Sequence, residues 1–113
     1  MDCGDTPHRR DCPMIKHIVF WRLAEESDGH TKAENLARMK AAIEGMRETV
    51  PGIVDLEVGV DFERSAAAWD IALLSVFESR EALDAYQAHP EHDKVRSLVG
   101  GVVTERAVVD YEV

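Results

Sequence analysis

The side chains able to do chemistry cluster in one short element. Residues 86–92 read Tyr-Gln-Ala-His-Pro-Glu-His and so bring Tyr86, His89 and His92 together. A further histidine, His17, stands in the apolar stretch 15–23. Histidine exchanges protons near neutral pH and is also the commonest metal ligand. As zinc or iron ligands, His17, His89 and His92 would want an acidic partner, and no acidic residue sits at a convincing spacing. Cys3, His8 and Cys12 form a second group, but Cys-x8-Cys is not a recognised ligand spacing. Two cysteines are also too few for a disulfide scaffold. Gly100-Gly101 reads as a helix stop rather than a phosphate loop, and neither a nucleotide fingerprint nor a Ser-His-Asp arrangement is visible.

The 113 residues suffice for one domain with a real core, and the 45% apolar content argues for a globular chain. A formal net charge of −9 disfavours nucleic acid and anionic membrane surfaces as partners. No apolar run approaches the roughly 18 residues of a membrane helix, and the polar first 13 residues do not read as a signal peptide. The expected location is cytoplasmic.

Patterning begins at Met14, so residues 1–13 are expected to be a poorly ordered tail ahead of one domain over 14–113. Residues 15–23 are β-branched and aromatic with apolar residues on both faces, which predicts a central strand. Thr31 with Glu34 forms a capping box for a helix whose apolar stripe is Leu36, Met39, Ile43, Met46 and Val50, ending at Pro51-Gly52. Val54, Leu56, Val58, Val60 and Phe62 alternate with polar residues or glycine, as in a strand near a sheet edge. Residues 69–77 are again apolar on both faces. Ser79 caps a short helix that ends near His89, Pro90 opens another, and residues 102–111 make the last strand.

The resulting order, β-α-β-β-α-β with the second helix broken, is the ferredoxin-like α+β arrangement. It predicts a four-stranded antiparallel sheet in the order 4-1-3-2 with its helices on one face. The other face would still carry Ile18, Phe20, Leu74 and Val76. An apolar patch of that kind is best covered by a second copy of the chain, giving a dimeric α/β barrel.

Residues 16–23 (KHIVFWRL), 50–62 (VPGIVDLEVGVDF) and 83–93 (LDAYQAHPEHD), with the Val109-Asp110-Tyr111 ending, resemble the stress-responsive α/β-barrel (Dabb) family. The resemblance covers residues 14–113 and implies a homodimeric ferredoxin-like barrel. Most such proteins have no assigned reaction. One, the plant olivetolic acid cyclase, closes a polyketide by an aldol step. Its working histidine on the first strand, tyrosine and second histidine match His17, Tyr86 and His92 here. The resemblance therefore implies His92 as general base, with a pKa near neutrality, and Tyr86 or His17 as donors to the developing oxyanion. Trp21, Phe77 and His89 are expected to line the ligand pocket. The alternative for His89 is a cap on the helix from Pro90. No cofactor is expected. Some relatives carry magnesium on backbone carbonyls, and the matching positions are Arg47, Val50 and Ile53. Such a site would be weak.

Two functions follow. The first is a protein that binds a small apolar ligand between sheet and helices, with cyclase- or lyase-like acid–base chemistry. The second is a non-catalytic, stress-associated homodimer with a structural or protein-interaction role. A cavity of roughly 300 Å³ or more with converging polar groups favours the first; a filled interior favours the second.

Overall fold

A computed structural model of the chain describes residues 14–113. The expected tail, with Cys3, His8 and Cys12, lies outside the described residues. Strand β1 (Ile15–Leu23) is followed by a short hairpin of two-residue strands, β2 (Glu26–Ser27) and β3 (His30–Thr31). Helix α1 (Lys32–Thr49) leads to β4 (Ile53–Val60), and β5 (Ile71–Phe77) follows. Helices α2 (Arg80–Ala88) and α3 (Pro90–Gly100) precede the last strand, β6 (Val103–Glu112). The four long strands form one antiparallel sheet in the order β4-β5-β1-β6, with β1 paired to both β5 and β6. This is the ferredoxin-like fold.

Local chemistry sets the helix boundaries. Glu34 N–H donates to Thr31 Oγ1 at 3.2 Å and Thr31 N–H donates to Glu34 Oε1 at 2.8 Å, closing the capping box. Ala82 N–H donates to Ser79 Oγ at 3.0 Å, which starts α2. Gly52 ends the turn after α1 with φ of 91°, a value that favours glycine.

Strand alternation divides the sheet into two faces. The inner face carries Ile15, His17, Val19, Trp21 and Leu23 from β1 and Ile71, Leu73, Ser75 and Phe77 from β5, all buried. Helix α1 covers it with Leu36, Met39, Ile43 and Met46. On the outer face, Ile18, Phe20, Leu74 and Val76 are half-buried, beside the exposed Val109 and Tyr111 of β6. The expected stripe of β4 is shorter than its alternation implied. Leu56 and Val58 are buried, but a bulge between Ile53 and Asp55 leaves Val54 exposed, and Phe62 lies past the strand end. Among the described residues, no helix is long and apolar enough to cross a membrane.

Candidate functional site

A cavity of about 610 Å³ opens on the inner face between β1, β6 and the helices. Its floor is His17, Val19 and Trp21 from β1, with Arg106, Val108 and Asp110 from β6. The antiparallel register places His17 opposite Asp110, Val19 opposite Val108 and Trp21 opposite Arg106. Its roof includes Tyr86 from α2 and His92, Val95, Arg96 and Val99 from α3. Helix α3 leaves this space because it packs chiefly on α1 and α2 and buries no residue of its own.

Three of these side chains meet. The Tyr86 ring is 6.1 Å from the His17 ring and 4.7 Å from the His92 ring, edge-on to both. Phe77 supports Tyr86 from beneath at 5.0 Å. His17 is buried, and its Nδ1 contacts Asp110 Oδ1 across the β1–β6 ladder. A carboxylate can only accept, so Nδ1 carries the proton of that contact.

Electrostatics separate the roles. Burial raises the Tyr86 phenol to about 12, against the smaller opposing pull of Arg106 and Arg96, so it stays protonated and can donate. Burial pushes the His92 pKa down to about 4, and the charges of Arg96, of His17 when protonated and of Arg106 push in the same direction. His92 is therefore neutral at pH 7, far from the near-neutral titration expected of it. Its Nδ1 is buried without a hydrogen-bond partner, and so is Trp21 Nε1. Buried polar groups are normally paired, so both mark the cavity as a place that receives polar atoms.

The Dabb domain model, described as Stress responsive A/B Barrel Domain, matches residues 15–113. The chain belongs to the stress-responsive A/B barrel family. A dimeric ferredoxin-like protein of unknown function from Bacteroides fragilis is 32% identical, with TM-score 0.76, over 88% of this chain and 96% of that one. A dimeric ferredoxin-like protein of unknown function from a Jannaschia species is 27% identical, with TM-score 0.67, over 88% and 99%. The hydroxynitrile lyase of Passiflora edulis shares the fold at 16% identity, with TM-score 0.74, over 88% and 92%. No curated protein matches the chain.

Within this Dabb domain, the expected site residues divide. His17, Tyr86, His92 and Trp21 border one cavity. Phe77 does not: it is fully buried and touches the site only through Tyr86. His89 does not either, because its Nδ1 accepts the Glu91 N–H at 3.0 Å and caps α3. That cap commits Nδ1 of His89 to the backbone, and among the described residues His17, His89 and His92 do not come together as a group that could hold a metal. Arg47, Val50 and Ile53 lie at the junction of α1 and β4, away from the cavity. The residues missed were Asp110, Arg96 and Arg106. Asp110 stands 93 positions from His17, so no local spacing could pair them. Its signal was the inward parity of the last strand, where a carboxylate replaces an apolar residue.

Proposed function

We propose that this protein binds a small, largely apolar molecule in the β1–β6 cavity and acts on it by general acid–base chemistry. The observation that carries the reading is the convergence of His17, Tyr86 and His92 on a cavity of about 610 Å³. That volume is well above the roughly 300 Å³ at which small-molecule sites begin, and it argues against the filled interior that a purely structural dimer would have.

His17, rather than His92, is the proposed base. Asp110 orients its ring and stabilises the imidazolium that forms when Nε2 takes a proton. Tyr86 donates to the oxygen on which negative charge develops, whether an enolate or an alkoxide. His92 stays neutral and serves as a hydrogen-bonding group. Such a pair suits removal of a proton next to a carbonyl, the step common to cyclase and lyase chemistry. The test is exchange of the α-protons of aryl ketones in D2O, followed by NMR. His17→Gln and Tyr86→Phe should each slow it by about 10²–10⁴-fold with little loss of fold. Exchange that is indifferent to His17→Gln would sink the assignment.

The proposed assembly is a homodimer. The half-buried outer face of Ile18, Phe20, Leu74 and Val76 supports it, as do the solved relatives described as dimeric. Leu74→Glu should give monomeric or aggregated protein in sedimentation. A folded monomer of the unaltered chain at micromolar concentration would refute the dimer.

A further inference from the structure

The charge around the cavity runs against that of the chain. The protein carries −9 overall, yet the cavity is lined by Arg96, Arg106, His17 and His92. Among the described lining residues, Asp110 is the single carboxylate, and His17 already engages it. Arg96 is held by Asp93 at 2.7 Å and by the Gln87 carbonyl at 3.1 Å. Arg106 has no ion-pair or hydrogen-bond partner among the described residues. Its cross-strand neighbour on the same face is Trp21. The indole of Trp21 is 6% exposed and borders the cavity, and its N–H has no acceptor. A guanidinium fork and an indole N–H are both donors only. Side by side, they present donors with nothing to receive them.

Trp21 lies four positions along β1 from His17, about 13 Å at the rise of a strand. Val19 and Val108 lie between, roofed by Val95 and Val99. The floor of the cavity is thus polar at both ends and apolar in the middle.

We infer that the ligand is an amphipathic carboxylate whose head is held by Arg106 and the Trp21 N–H while its apolar body crosses Val19 and Val108 toward His17. This rests on the reading of the cavity as a ligand site and adds the ligand's class. A planar carboxylate matches the guanidinium fork with two parallel hydrogen bonds, and a third oxygen lone pair reaches the indole.

The test compares octanoate with 1-octanol by calorimetry on the full chain at neutral pH. Octanoate should bind at least about tenfold more tightly, the effect of one charge-assisted contact. Arg106→Gln should remove that preference, bringing the two affinities together. Arg106 is exposed and unpaired, so the variant should fold. In NMR, octanoate but not octanol should move the indole N–H signal that Trp21→Phe deletes. Equal affinity for the two probes, or a preference that survives Arg106→Gln, overturns the carboxylate head while leaving the cavity as a ligand site. Failure of both probes to bind the unaltered protein would instead remove the ligand site itself, and the inference with it.

Discussion

The inner face of the sheet is solid beneath α1 and hollow beneath α3. On the solid side, Met39, Leu56, Ile71 and Phe77 are buried to within 1%. On the hollow side, Val108 is 37% exposed and α3 buries nothing. Both halves use the same strand alternation, so alternation is not what separates them. The difference lies in what the inward positions of the edge strands carry. Those of β4 are Leu56 and Val58, which a helix can cover. Those of β6 are Arg106, Val108 and Asp110, and packing a helix over two charged groups would carry a desolvation cost that only well-made ion pairs offset. Helix α3 therefore leans on α1 and α2, and the space it leaves becomes the cavity. A sheet face can thus serve as core on one side and border an open cavity on the other, with the choice made by a few residues of an edge strand.

The sharpest way to break this comparison is to truncate one side and then the other. Leu56→Ala should destabilise the fold by about 2–5 kcal/mol in denaturant unfolding, because it opens a void in a close-packed region. Val108→Ala, at the cavity floor, should cost no more than about 0.5 kcal/mol while weakening ligand binding. Similar stability losses for the two would mean that the hollow half is as tightly built as the solid one.

Acid should act on the hollow half. The His92 pKa is about 4 in the folded chain against an ordinary 6.5, so the unfolded chain takes up a proton first as pH falls. The stability that neutral His92 contributes is complete above about pH 6.5 and is lost as pH drops toward 4. His92→Gln should flatten the stability profile across that window, with little change at pH 7.5. A profile of unchanged steepness would show that another group controls it.

The smallest expected effect is at the hinge between α2 and α3. His89→Ala removes the cap on α3 and should cost about 1 kcal/mol, whereas His89→Asn should keep most of it. Thermal unfolding of the two variants decides whether His89 is a cap. If His89→Ala instead abolishes ligand binding at unchanged stability, the histidine belongs to the site after all.

Local signals were legible wherever the physics is local. The capping box of Thr31 and Glu34, the stop at Pro51-Gly52 and the two-sided strands 15–23 and 69–77 each act within a few residues. Together they determined the elements, the strand order and the apolar outer face. The element from Tyr86 to His92 was also visible, and together with His17 it held three of the four groups that surround the candidate reaction centre. Tertiary structure alone decided the rest. It set His17 against Asp110 through the register of two strands far apart in sequence, and it buried His92 deeply enough to push its pKa down to about 4. It turned His89 back onto its own helix and buried Phe77 beneath Tyr86, because a cap and a core contact satisfy those side chains better than an open cavity would. It placed Arg106 beside Trp21. Register and helix placement depend on the summed packing of the whole sheet, so no short stretch of sequence encodes them.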